Sequence, residues 1–515
     1  MAMQISRRNF VAGAATVGAM AAFGMAGCSS KGSGKAESKA EEYDIVIVGA
    51  GGAGMSAAIA AHDAGVEKVV VLEKEGNVGG NTNFSSSGMN ASETKFQKAQ
   101  GIEDSNELFA QETLDGGHDT GNPELVHFMC DNSAGAIDWL DGLGITLDNI
   151  TMTGGMSVKR CHRPTDGSAV GKTIVPGLQK AVEDRGIEIK TNCNVKELVQ
   201  ADDGSITGVK TDKGDYSAKA VILAAGGLGS NPDMITKYRP DLEGYVSTNQ
   251  PGATGDGYAM AEAVGAQLIQ MDQIQIHPTV EQSSSMLIAE GLRGGGAILV
   301  NSEGKRFFNE SRGAVFVDVY NAMTSAGGVL YTIFDQSMID DLINKGAVLP
   351  FNAIVLAGVP LKALPKTLEM GYERGWAFKA DTVKELAQQI GVPPENLESS
   401  MKRVNEFAKT GVDEEFSRKP EHLRAFNLNK GPYYALKGVR CFFLTLGGVT
   451  VTPQFEAKNP QGNVIPNLYV VGQDIGGLYD SSYDLRCEGS ASSFAMTSGR
   501  VAAENAIKAI EAGRV

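Results

Sequence analysis

The stretch that most constrains this chain is YDIVIVGAGGAGMSAAIAAHDAG, residues 43–65. A continuous apolar run reads as a buried strand, and it leads straight into Gly49, Gly51 and Gly54 and then into an Ala-rich helix. Glycines at this spacing permit a tight turn. They also let the pyrophosphate of a dinucleotide approach a helix N-terminus, where free N–H groups and the helix dipole favour negative charge. A second apolar strand, KVVVLEK, carries Glu73 about 20 residues past Gly54, where a ribose-binding carboxylate belongs, with Lys74 next to it. A GxGxxG alone is a weak signal. Strand, turn, helix, second strand and acid together specify a dinucleotide-binding βαβ unit.

The amino terminus, SRRNFVAGAATVGAMAAFGMAGCSS, pairs Arg7 and Arg8 ahead of a modestly apolar stretch that stops at Cys28. It reads as a twin-arginine export signal with a lipoprotein cleavage box (residues 1–28), which would leave Cys28 as a lipidated N-terminus on the membrane surface. A plain secretory signal with an incidental Cys is the alternative. Residues 29–42 are a polar tether. Export in the folded state suits a protein that takes up a bulky cofactor before leaving the cytoplasm, and the destination is the outer face of the cytoplasmic membrane. Roughly 470 residues follow, ample for more than one ordinary domain. A net charge of −15 disfavours nucleic acid as a partner. Cys130, Cys161, Cys193, Cys441 and Cys487 are scattered and form no CxxC, so zinc and covalent haem sites are not encoded.

Which dinucleotide binds is indicated at the far end. NVIPNLYVVGQDIGG, residues 463–477, is a strand closing on Gln473 and Asp474, and it resembles the late strand of flavoproteins whose acid takes a ribityl hydroxyl of FAD. AVILAAGGLGSN (220–231) and ATGDGYAMAEAVGA (253–266) resemble further segments of the same group. One FAD bound by a domain split along the chain accounts for all of them. A helix over residues 491–510 would aim its N-terminus at the flavin pyrimidine and favour the anionic reduced form.

With GGNT (79–82), QIHPT, the E-x-x-R-G run, RFFNE-x-R and YDLRCEGSASS added, the chain resembles the flavoprotein subunit of the fumarate reductase/succinate dehydrogenase superfamily over residues 43–510. Within it, the resemblance is to exported flavocytochrome-type fumarate reductases and their relatives acting on urocanate, other acrylates and 3-ketosteroids. The resemblance implies an α/β fold: a doubly wound, Rossmann-like FAD-binding domain (43–271 and 429–515) split by an α+β capping domain (272–428) that hinges over the flavin. It nominates Gly80, Asn81, Thr82, Ser87, Gly88, Val195, Ala225, Gly226, Asp256, Ser490 and Ser492 as further cofactor-binding positions.

It also implies roles in the stretch 275–313. His277 would bind a substrate carboxyl or carbonyl oxygen, and Arg312 would protonate one alkene carbon while the flavin delivers hydride to the other. Glu290 and Arg293 would reprotonate Arg312, and Arg486 would be a second carboxylate-binding arginine. Two guanidiniums can clamp a carboxylate bidentately. An arginine acid is chemically demanding, because the guanidinium normally stays protonated in proteins.

Departures from the family pattern matter as much. Leu444 in CFFLTLGG stands where many members carry His, and GLYDSSYDLR is longer than in the fumarate enzymes, adding Tyr479 and Tyr483. A dicarboxylate would lose a partner there, and an aryl group would gain contacts. Asn81 stands where membrane-complex relatives carry the His that links covalently to FAD, so non-covalent FAD is expected. Haem and FMN-attachment motifs are missing from the pattern, which calls for a separate cytochrome or quinone-linked electron donor. The reading is an FAD-dependent reductase of the C=C bond of an α,β-unsaturated carboxylate serving as anaerobic electron acceptor. A 3-ketosteroid or enone dehydrogenase is the alternative enzyme, and a non-catalytic flavin electron carrier the alternative of another class.

Overall fold

The computed structural model describes residues 40–153, 155–279, 291–312, 316–348, 358–479, 481–484 and 486–514. The export signal with Cys28, most of the tether, and Glu290 lie outside the described residues. Strands β1 (Glu41–Val48), β2 (Val69–Leu72), β3 (Glu188–Lys190), β4 (Val195–Gln200), β5 (Ile206–Thr211) and β6 (Asp215–Leu223) come first, with helix α1 (Gly52–Asp63) between β1 and β2. A second group follows: β7 (Val246–Ser247), then helix α2 (Asp256–Ala263), then β8 (Ile274–Thr279), β9 (Ile298–Asn301), β10 (Val329–Asp335), β11 (Ala377–Ala380) and β12 (Tyr433–Thr445). The chain then returns through β13 (Glu456–Lys458), β14 (Val464–Val470) and helix α3 (Ser490–Glu511).

The first sheet has the order β13-β14-β6-β1-β2-β3, with the β4–β5 hairpin attached to β6. Strands β14, β6, β1, β2 and β3 run parallel, and β13 is an antiparallel edge. This is the doubly wound arrangement expected from the βαβ motif. Ile45 to Val48 and Val69 to Leu72 are all buried, as expected of parallel strands covered on both faces. Helices α1 and α3 pack on each other against this sheet. Register then builds the site: Val48 pairs with both Leu72 and Leu223, and Leu223 with Val470. Four strands therefore end level, and the segments that follow, beginning at Gly49, Glu73, Ala224 and Val471, converge on one edge. Ligands of open parallel sheets bind at that edge, outside the carboxyl ends of the strands.

The second sheet is built around β12, which pairs antiparallel with β8, β10 and β11 and parallel with β7, while β9 extends it through β10. It therefore draws on residues outside 272–428, because β7 and the 13-residue β12 both belong to it. A bulge interrupts the β8–β12 pairing: Gln275 faces Leu444 and Ile276 faces Phe442, so Phe443 is the extra residue. A bulge re-aims side chains and lets two consecutive residues point the same way.

Buried charge braces this second sheet. Glu310, from RFFNE, accepts from Arg306 at 2.7 Å, from Arg418 at 3.2 Å and from the Leu299 N–H at 3.0 Å. With its lone pairs taken up inside the fold, Glu310 makes no salt bridge to Arg312.

Candidate active site

Two cavities meet at the level strand ends. The first is lined by Gly49, Gly51, Glu73, Lys74, Gly80, Asn81, Thr82, Val195, Ala225, Gly226, Asp256, Gln473 and Ser492, thirteen of the positions nominated from sequence. Each glycine of the turn has its own reason. Gly49 adopts φ +107°, and a Cβ there would lie 2.3 Å from the Ala224 carbonyl oxygen. A Cβ on Gly54 would lie 1.9 Å from the carbonyl oxygen of Gly49, so Gly54 closes the turn from behind. A Cβ on Gly51 would meet nothing within 4 Å, because that side opens into the cavity. This is the space a pyrophosphate needs at the N-terminus of α1. The Thr82 hydroxyl accepts the Gly52 N–H at 3.1 Å and sits at the same helix end.

At the ribose end, Glu73 accepts the N–H groups of Ala50 and Glu75, both at 2.8 Å, and burial raises its pKa. Lys74 and Asp256 form an ion pair of 2.6 Å across the cavity. Asn81 bridges Asn249 and the Gln250 N–H, tying the GGNT turn to the second sheet. Asp474 lies just behind the lining. Its carboxylate takes the N–H groups of Ala225 at 2.5 Å and Gly227 at 2.9 Å, and burial pushes its pKa up to about 6. It thus fixes the glycine loop rather than facing the cavity. Gly88 and Ser490 are also behind the wall, and Ser87 lines the second cavity instead.

The second cavity shares Asn81, Ser85, Gln473, Ala491 and Ser492 with the first, so the two are contiguous. His277, Leu444 and Tyr483 line it, as anticipated for substrate-binding positions. Phe443, from the apolar CFFL run, lines it too, and so do Phe84, Asn249 and Glu488, which were not singled out in the sequence. For Phe443 the reason is the bulge, which places it beside Leu444 on the cavity side. The His277 ring stacks on Phe443, centroids 4.1 Å apart and planes 14° from parallel. Burial, and then the charge of Arg293, push the His277 pKa down to about 3, so its ring is neutral at neutral pH. Arg293 is itself buried behind the wall. Tyr479 stands behind Tyr483 in an edge-to-face pair with 4.8 Å between centroids, its hydroxyl 2.8 Å from Ser490 Oγ.

The arginines nominated for substrate are not brought to this wall. Arg312 has its side chain 65% exposed and is paired with Asp318. Arg486 is held by Asp484 at 2.8 Å and donates to the Asp115 carbonyl at 2.9 Å. Among the described residues lining the second cavity there is neither Arg nor Lys.

A level-ended parallel sheet, a glycine turn open to a long cavity, and a second cavity at its far end define a flavoprotein with a small-molecule site beside the cofactor. The chain belongs to the family described as FAD binding domain, whose model matches residues 44–489, and FAD is its cofactor. It is similar to the NADH:fumarate oxidoreductase of Klebsiella pneumoniae, 38% identical over 478 residues; these are 91% of this chain and 48% of that one, so the chain spans about half that relative's length. It is 34% identical over 449 residues to the urocanate reductase of Eggerthella lenta, covering 84% of this chain and 70% of that one. Its fold matches the open conformation of a flavocytochrome c3 fumarate reductase with a TM-score of 0.77 at 34% identity, over 91% of this chain and 78% of that one.

When bound, FAD supplies two-electron, hydride-level redox chemistry. The residues present fit it: the Gly51 opening and α1 would hold the pyrophosphate, Glu73 the adenosine ribose, and the Ala225–Gly226 loop with Gln473 and Ser492 the flavin half.

Proposed function

We propose that this protein is an FAD-dependent reductase of the C=C bond of an α,β-unsaturated carboxylate, with an aryl-acrylate the best fit. The carrying observation is the second cavity. It adjoins the flavin cavity and presents Phe443, Phe84 and Tyr483 with a neutral His277, which suits a flat aromatic substrate better than a small dicarboxylate. Serine, threonine and asparagine groups remain to meet a carboxylate oxygen.

The family resemblance gives the proton to Arg312. With Arg312 exposed and paired to Asp318, that assignment requires the second-sheet segment to move over the flavin. A second reading, a 3-ketosteroid or enone oxidoreductase, is favoured by one observation: no cation lines the described wall of the cavity. We further propose that FAD is held non-covalently, with Asn81 hydrogen-bonded at the turn, and that electrons arrive from a separate cytochrome or quinone-linked donor. Export, lipidation at Cys28, attachment to the outer face of the membrane and a respiratory role complete the proposal, resting on the amino-terminal sequence.

The test is anaerobic oxidation of reduced viologen by fumarate, urocanate, cinnamate and a 4-ene-3-ketosteroid. Turnover greatest with cinnamate supports the proposal. Turnover with the steroid alone favours the second reading, and turnover with none leaves an electron carrier.

A further inference from the structure

Reduction of an alkene needs a proton as well as a hydride, and the lining of the second cavity shows where that proton can come from. Tyr483 lines this cavity, and its hydroxyl accepts the Gly489 N–H at 3.0 Å. The Ala491 N–H also lies near it and favours its charged form. Both amides belong to the N-terminus of α3, a helix of 22 residues. Ala491 and the adjacent Ser492 line both cavities, and Gly489, whose N–H the Tyr483 hydroxyl accepts, lines the second.

We propose that Tyr483 is the proton donor of the reaction, an inference that rests on the alkene-reductase reading. The alkene π bond breaks and two C–H bonds form. One carbon receives a hydride from reduced flavin, which loses two electrons, and the other receives the phenolic proton of Tyr483. Water entering from the cavity mouth then reprotonates the phenolate.

Three features suit the group to this step. Backbone N–H groups at a helix N-terminus are placed to hold the negative charge that appears when the proton leaves, and being fixed they need no reorganisation. Burial, with the nearby Cys487 and Glu488, raises the Tyr483 pKa and keeps the proton in place until an acceptor carbon arrives. His277, the other ring on the wall, carries no excess proton at neutral pH.

The experiment separates the two half-reactions of the FAD-loaded enzyme. Tyr483→Phe should bind 3-phenylpropanoate, a saturated product analogue, with wild-type affinity, read from the absorbance of the oxidised flavin. Its flavin should be reduced by viologen at the wild-type rate. Reoxidation by the best alkene of the panel should fall by about 100-fold or more, the effect of losing a positioned acid. Arg312→Ala, measured beside it, tests the rival donor.

Reoxidation by Tyr483→Phe at the wild-type rate overturns the inference, as does equal slowing of both half-reactions or loss of analogue binding. Collapse in Arg312→Ala with Tyr483→Phe active returns the role to Arg312. If Tyr483→Phe does not hold flavin, 3-fluorotyrosine at 483 keeps the ring and hydroxyl but makes the hydroxyl more acidic. The pH profile of reoxidation should then move downward, and an unmoved profile overturns the inference. Wild-type protein that reduces no alkene sinks the underlying reading and the inference together.

Discussion

His277 and Phe443 lie face to face, ring centroids 4.1 Å apart, and they come from two strands whose pairing is broken by a bulge at Phe443 itself. The stack forms a flat wall beside the flavin cavity. Aromatic pairs contribute about 0.5–1.5 kcal/mol beyond their buried area. Phe443→Ala should therefore weaken cinnamate binding by roughly tenfold, about 1.4 kcal/mol, while changing fumarate affinity little. Titration of the oxidised enzyme with each acid checks this, and equal losses for both would remove Phe443 from aromatic recognition.

Buried His277, with a folded pKa of about 3, ties stability to pH. In the unfolded chain the ring protonates near the usual value of about 6.5. Between these values the unfolded state binds more protons. The contribution is therefore complete above about pH 6.5 and is lost as the pH falls toward 3, at about 1.4 kcal/mol per unit. Buried His162, with its pKa lowered to about 4, acts in the same direction. His277→Phe should show a shallower loss of melting temperature between pH 6.5 and 4.5 than wild type. Identical slopes would mean that His277 is not buried in its neutral form.

The glycine turn separates two kinds of failure. Gly51→Ala adds a methyl group where nothing lies within 4 Å, so the protein should fold with the melting temperature of the wild-type apoprotein but purify without FAD. Gly54→Ala drives a methyl group to within 1.9 Å of a backbone oxygen and should lower stability itself, by about 1–3 kcal/mol as for other overpacked sites. Thermal melts and flavin absorbance of the two variants give the comparison, and a flavin-replete Gly51→Ala protein would contradict the assignment of the pyrophosphate.

Asp474→Ala leaves the buried N–H of Gly227 and the partly buried N–H of Ala225 without this acceptor. Each orphaned donor costs about 1–3 kcal/mol. The variant should melt earlier and release FAD more readily, although the carboxylate lies behind the cavity wall. A variant with normal stability and weak FAD binding would show instead that Asp474 touches the cofactor directly.

Wild-type protein should fractionate with membranes, and Cys28→Ala should be soluble or unprocessed. Release of both as the same soluble chain would remove the lipid anchor from the proposal.

The βαβ unit was legible in the sequence because its information is local: an apolar strand, a turn that tolerates no Cβ at Gly49 or Gly54, a helix, and Glu73 at the end of the next strand. The return of residues 463–477 to the same cofactor was legible too, through a pattern characteristic of flavoproteins. Folding in three dimensions was needed for the rest. Parallel register, set by pairs such as Val48 with Leu223 and Leu223 with Val470, brings distant segments to one edge. The bulge that turns Phe443 toward the cavity depends on its partner strand, and period-two alternation along β12 does not reveal it. Arginines are least legible of all. A guanidinium on a long flexible stem goes to the carboxylate the fold places nearest, so Arg312 lies with Asp318 and Arg486 with Asp484, away from the cavity that Tyr483 reaches on its short, rigid ring.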